Sequence, residues 1–303
     1  MTKKRRVMGL ACLMLMLWAF PAMAAEYALP IDSSGGFIPN PAGFTSLTAY
    51  QDESITVSVE SRKIDDSVYH IAHVKIADAS QLRTGLAGPS GVKKTAKTSA
   101  MAAAYSAVVA MNGDYYQYRS GGYVVRQGEV LRKTPNTKLD LLLIDEAGDF
   151  HIFKKSNKKE LNAFLKGEHT AVNAFTFGPA LVMDGEVQTI YNSYGFSPQD
   201  RSPRTAIGQT GLLQYVLVVV DGRQEGYSRG ITLKKLAEFM GEMGCVSAFN
   251  LDGGGSSTLI FGNEYVNKMD DKSERNISDI IYFATAVPET EWATVVNEES
   301  EAE

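Results

Sequence analysis

The run "QYVLVVVDG" (Gln214–Gly222) is apolar almost throughout and then stops at an Asp-Gly pair. A segment of this composition, too short for a typical buried helix and rich in valine, reads as the central strand of a sheet. Other segments alternate as strands with one covered face: "SITVSVE" (Ser54–Glu60), "VYHIAHVKIA" (Val68–Ala77) and "AVVAM" (Ala107–Met111). Three hairpins announce themselves by their turns. Tyr123–Arg132 reverses at Gln127-Gly128, Leu139–Asp145 meets Asp149–Phe153 across Glu146-Ala147-Gly148, and Pro179–Gln188 reverses at Asp184-Gly185. Helical signals are fewer. Ser156 can cap residues 157–166, and Thr98 or Ser99 can open a short helix through Tyr105. The clearest helix is Leu233–Met243, with Thr232 as N-cap and Gly244 as its stop. Its apolar stripe of Leu233, Leu236, Ala237, Met240 and Met243 is core material, and "CVSAFNL" (Cys245–Leu251) follows as a strand. So many tight turns argue against a purely parallel, doubly wound sheet. The expected fold is α+β: a single mixed, mostly antiparallel β-sheet domain with a few flanking helices.

The N-terminus predicts export. Lys3, Lys4, Arg5 and Arg6 precede an apolar run from Val7 to Phe20, and Ala22-Met23-Ala24 supplies a small-x-small cleavage pattern. Residues 1–24 are therefore expected to be a secretory signal, which places the protein outside the cell or in the cell envelope. Cys12 leaves with that segment, so Cys245 stands alone and no internal disulfide can form. Taking the four leading cations from the 30 basic residues leaves 26 against 35 acidic ones, a net charge of −9. That balance argues against nucleic acid, which needs a basic face, and nothing implies a stable protein partner. The expected organisation is a lead-in and first strand over 25–67, one domain of catalytic size over 68–287, and an acidic tail over 288–303.

Two familiar chemistries drop out early. His70, His73, His151 and His169 are the only histidines; the first two point to opposite faces of one strand, and all four read as structural. "GPSGVKKT" (Gly88–Thr95) imitates a phosphate loop, but Val92 separates its last glycine from the lysines, so it reads as a basic loop. Four other stretches share one plan: a strand end, then an acid or arginine, then glycine. They are "NGDYY" (Asn112–Tyr116), "RSPRTAIGQ" (Arg201–Gln209), "VVVDGRQEGYSRG" (Val218–Gly230) and "NLDGGGSSTLI" (Asn250–Ile260). Each alone could be an ordinary turn. Their repetition points to a shared site.

Together with "FGPALVMDG" and "GYSRGITLKKLAEFMGEMGC", these stretches resemble the phosphodiester glycosidase family, and the likeness runs from about Val68 to Thr285. One departure is that Asp114-Tyr115-Tyr116 stands where animal members carry a Gly-Phe-Phe type ending, which implies a differently shaped sugar pocket. The resemblance implies hydrolysis of the sugar C1–O bond in a glycosyl phosphodiester or a cell-surface phosphoglycan. The leaving phosphate ester needs charge stabilisation more than a proton, which suits an arginine fork. Arg204 is the first expectation for that fork and Arg223 the second. Gly253, Gly254 and Gly255 can bring backbone N–H groups to an anion, with Ser256, Ser257 and Thr258 adding hydroxyls. Asp252 is the leading carboxylate to activate water or attack C1, followed by Asp221, then Asp114 or Glu225. Asn112, beside Gly113, positions a sugar hydroxyl or orders the loop. The glycosidase reading calls for no cofactor, with Ca²⁺ or Mg²⁺ left open. Two rival readings remain open here: Asp252, Asp221, Asp114 and Asn112 could ligate Ca²⁺ or Mg²⁺ in a phosphodiesterase that cuts O–P, or the pocket could bind wall glycan without catalysis.

Overall fold

Within the Gln214–Val220 strand, Tyr215, Leu217 and Val219 face one way and Val216, Val218 and Val220 the other, and both sets are buried. The strand is uniformly apolar because it has something to bury on each face. In the computed structural model, which describes residues 27–134, 136–270, 273–290 and 292, it lies inside an eight-stranded sheet. The expected signal segment, and the expected tail apart from residues 288–290 and 292, lie outside the described residues.

The order in that sheet is Ala49–Gln51, Ile55–Ile64, Ser67–Ile76, Gln214–Val220, Arg204–Gly211, Ser247–Asn250, Ala180–Met183 and Glu186–Val187. A second sheet runs Phe150–Phe153, Asp140–Asp145, Ala171–Phe177, Gly122–Arg126 and Glu129–Thr134. A third runs Glu264–Tyr265, Leu259–Phe261, Val109–Asn112, Asp279–Phe283 and Leu82–Leu86, and a two-stranded ribbon pairs Asn276–Ile277 with Ala96–Lys97. The pairings that build these sheets are antiparallel, as in the ten-residue register of Ile55–Ile64 on Ser67–Ile76. Among the described residues, the expected single mixed sheet is thus corrected to four sheets. Hairpin signals identify neighbouring strands, but they do not say where one sheet ends and the next begins.

The three large sheets enclose one core. Val57, Val74, Leu217 and Phe249 come from the first, Leu142, Phe175 and Phe177 from the second, and Met111, Leu259 and Phe283 from the third. Each sheet also carries a helix on its outer face. α1 (Thr98–Ala104) covers the third sheet through Met101 and Ala102, and α2 (Lys158–Phe164) covers the second through Leu161. α3 (Leu233–Glu242) covers the first through Leu233, Leu236, Ala237, Phe239 and Met240. Thr232 caps α3 by accepting the Lys235 N–H at 3.2 Å. The expected cap on α2 moves by one residue. Asn157 accepts from Lys159 and Glu160, whereas Ser156 is buried and donates to the Leu139 carbonyl at 2.9 Å.

The lead-in is stitched into this body. Leu29 N–H donates to Ser80, Arg83 donates to the carbonyls of Pro30 and Ser34, and Phe44 packs edge-on against Tyr50 and Phe261. Residue 67, the expected limit of the lead-in, begins the second strand of the ten-pair hairpin.

Candidate active site

Strand ends from the first and third sheets bring the glycine turn and Asn112 together. Asn112 ends the Val109–Asn112 strand, and Asp252 follows the Ser247–Asn250 strand by two residues. The buried Asn112 amide donates to the Asp252 carbonyl at 2.7 Å, and its oxygen accepts from Thr258 N–H and the Thr205 hydroxyl at 3.1 Å each. These bonds tie the strand end to the glycine turn. Gly113 serves the same junction: its carbonyl accepts the Asp252 N–H, and a Cβ there would lie 2.5 Å from Asp279 Oδ1.

The glycines hold two arginines close. Gly254 has φ +61°, a left-handed conformation that costs other residues energy, and a side chain there would press on Arg223 Nη1. At Gly255 a side chain would collide with the Arg275 guanidinium. Arg223 and Arg275 therefore lie against consecutive residues of one turn. Arg223 also pairs with Asp270 at 3.0 Å while remaining half exposed.

Asp252 is the carboxylate of the turn that keeps access to solvent. Burial pushes its pKa up to about 6, opposed by a hydrogen bond from Ser256 and by the Arg275 charge; Asp114 raises it further and Arg119 lowers it. A carboxyl poised there can exchange a proton near neutral pH.

The other expected acids are committed elsewhere. Asp114 is buried; it accepts from Tyr116 N–H and from Arg119 at 2.8 Å, and faces Arg126 at 3.4 Å. Arg126 in turn binds the fully buried Asp279, whose pKa burial raises. Asp221 is a hub: His70, Tyr227, Asn267 and the Lys268 N–H all donate to it. Asn267 carries that brace on to the Ser257 carbonyl and the Leu259 N–H. Asp221 thus supports the strand behind the turn and is not open to solvent. Glu225 is exposed at the tip of the Gln224–Ser228 turn.

Arg204 is the main correction. Its guanidinium is buried and donates to the carbonyls of Ile231, Phe196, Ser197 and Asp200, so it pins the 196–200 loop and is not presented to a phosphate. Burial, with repulsion from Arg223, lowers its pKa to about 10. Ser257 and Thr258 are also turned inward, Ser257 accepting from Thr205. Ser256, buried too, is the hydroxyl that reaches Asp252.

Arg119, which no motif singled out, lies close enough to Asp252 for its charge to lower that carboxyl's pKa. One nitrogen holds Asp114, while its buried Nε and Nη1 have no hydrogen-bond partner among the described residues. The cation lies over the rings of Tyr115 and Phe177, at 4.8 and 5.2 Å from their centroids. Tyr115 meets Phe177 and Phe196 edge-on, and Phe177 and Phe196 stack at 4.3 Å. Tyr115 and Phe196 keep part of their surface open, an apolar wall beside a cation with spare donors. Arg126 and Asp279 left a faint trace in sequence: each is a charge set into an apolar strand.

The rival reading groups Asp252, Asp221, Asp114 and Asn112 as ligands of one cation. Asp114 and Asp221 each face their own donors, and Asn112 is spent on the turn.

Comparison with known proteins places the chain in a family. A profile described as phosphodiester glycosidase matches residues 105–284. The chain belongs to the phosphodiester glycosidase family. The SPbeta prophage-derived protein YomE of Bacillus subtilis is 34% identical over 128 residues, 42% of this chain and 20% of that protein. The N-acetylglucosamine-1-phosphodiester alpha-N-acetylglucosaminidases of Bos taurus and Homo sapiens are each 41% identical over 76 residues, 25% of this chain and 14% of theirs. The matches thus span a fifth or less of these curated relatives. Among solved structures, the zebrafish catalytic domain of that enzyme superimposes with TM-score 0.61 at 18% identity, covering 82% of this chain and 86% of that one. A Synechocystis protein gives TM-score 0.53 at 16% identity, covering 78% and 64%. At these identities the likeness is one of fold.

Proposed function

We propose that this phosphodiester glycosidase family member is an exported hydrolase that cleaves the sugar C1–O bond of a glycosyl phosphodiester, releasing sugar and a phosphomonoester. The observation that carries the reading is Asp252, a partly open carboxylate with its pKa near 6, set on a glycine turn flanked by Arg223 and Arg275 and close to the charge of Arg119. The phosphate sits with the arginines, whose planar donors match its oxygens. The sugar lies along Tyr115 and Phe196, which cover an apolar ring face. Asp252 then acts at C1, as nucleophile or as the base for water, while the arginines stabilise the departing phosphate ester. The basic n-region and apolar run of residues 3–20 support export to the envelope or beyond. A GlcNAc-α-phosphodiester tests this reading. Free sugar should appear with the parent and fall by at least about 10³-fold with Asp252→Asn, the scale expected when a transition-state group is removed. Undiminished release by a folded Asp252→Asn would remove Asp252 from the chemistry.

A further inference from the structure

His151 and His169 both lie against the Asp145 carboxylate. They meet at the edge of the second sheet, where Ala171 pairs with Asp145 and His151 pairs with Leu143. Asp145 Oδ1 closes its own turn by accepting the N–H groups of Ala147 and Asp149. Its Oδ2, buried with the rest of the carboxylate, lies 3.4 Å from His169 Nδ1 and 2.8 Å from His151 Nε2. Glu146 Oε1 lies 3.7 Å from the same His169 nitrogen, and the other Glu146 oxygen accepts the Thr170 N–H. Ligand atoms of Asp145, Glu146 and His169 all fall within 4.8 Å of one another.

We propose that Asp145 Oδ2, Glu146 Oε1 and His169 Nδ1 bind a divalent transition ion, with zinc as the fitting probe and water as the fourth ligand. Tetrahedral zinc with N and O ligands at about 2.0–2.1 Å places neighbouring donors about 3.3 Å apart. The 3.4 and 3.7 Å separations from His169 Nδ1 are within a few tenths of an ångström of that value, and the two carboxylates, within 4.8 Å of each other, close the rest by rotation of the half-exposed Glu146 side chain. An imidazole with two carboxylates suits zinc better than Ca²⁺ or Mg²⁺, which prefer shells of oxygen.

The surroundings hold the donors in place. Phe164 of α2 stacks on His169 at 5.2 Å with a 12° tilt, fixing the imidazole plane. It also packs against His151 at 4.5 Å, and His151 in turn bonds the ligating oxygen of Asp145. His151 is therefore the outer partner that orients the carboxylate. A bound ion would tie the Glu146–Gly148 turn to the loop before Ala171, on a different sheet from the glycine turn. The proposal does not depend on the hydrolase reading.

Isothermal titration of the metal-stripped full chain with zinc chloride tests it, with metal analysis after dialysis. The expected result is one zinc per chain with micromolar or tighter affinity, a higher thermal midpoint, and no displacement by millimolar magnesium. His169→Ala should abolish binding, and His151→Ala should weaken it about 10- to 100-fold, as loss of an outer partner does. Glu146 is half exposed, so Glu146→Gln should fold even if His169→Ala does not, and it too should lose the ion. No stoichiometric binding at 100-fold excess over the expected micromolar affinity would overturn the proposal. So would binding that survives both His169→Ala and Glu146→Gln, which marks adventitious zinc; closeness without metal would mean a histidine–carboxylate ion pair only.

Discussion

Asp252→Asn should make the protein more stable while disabling it. The Asp252 carboxyl rises from its ordinary 3.8 to about 6, with burial as the largest cause. Because the folded chain holds the proton more tightly than the unfolded one, stability falls as pH climbs from 3.8 to 6 and then stays lowered. At 1.36 kcal/mol per pH unit, the full penalty is about 3 kcal/mol. Partial exposure of the group reduces this, so the asparagine should gain about 1–3 kcal/mol at pH 8. At pH 4.5 most of the unfolded chains are ionised but few of the folded ones, and the gain shrinks to about a third. Urea denaturation of parent and variant at the two pH values measures the difference directly. A variant less stable than its parent at pH 8, or a gain equal at both pH values, would refute the argument that Asp252 is a charge held at a cost.

The same pKa predicts that kcat/KM on a glycosyl phosphodiester rises as pH increases through about 6, since Asp252 acts ionised; a profile that falls through that range would assign it the acid role instead. Arg119→Ala should lower kcat/KM by about 10- to 100-fold, the worth of a charge-assisted hydrogen bond or two, and steady-state kinetics on folded protein reads it. Because Arg204 holds four carbonyls in a buried setting, Arg204→Ala should cost about 2–4 kcal/mol in denaturation, with activity surviving in whatever fraction remains folded. Gly254→Ala, which needs φ +61° and presses on Arg223, should cost about 1 kcal/mol and raise KM for the phosphodiester, seen by melting and kinetics together.

Local features were legible where one physical rule governs them. Thr232 caps α3, the Gln127-Gly128 and Asp184-Gly185 pairs turn their hairpins, and Gln214–Val220 lies deep within its sheet. Partition into four sheets was not legible, because alternation reports one covered face and is silent about which sheet supplies the cover. The family motifs located the glycine turn, but they did not distinguish residues that stay partly exposed from those that brace it. Asp221 and Arg204 carry the same chemistry as a catalytic acid and a phosphate fork, and only their hydrogen-bond partners reveal them as braces. Arg119 lies in a loop with no pattern of its own, so its spare donors emerge only from what surrounds it. Likewise His151 and His169 are 18 positions apart, and only strand pairing brings them to Asp145.

The central claim is that C1–O breaks, not O–P. Hydrolysis of a GlcNAc-α-phosphodiester in ¹⁸O-water, followed by mass analysis of both products before the free sugar exchanges its anomeric oxygen, tests it most directly. The account predicts label in the sugar hydroxyl and an unlabelled phosphomonoester. Label in the phosphomonoester would contradict it and make the chain a phosphodiesterase.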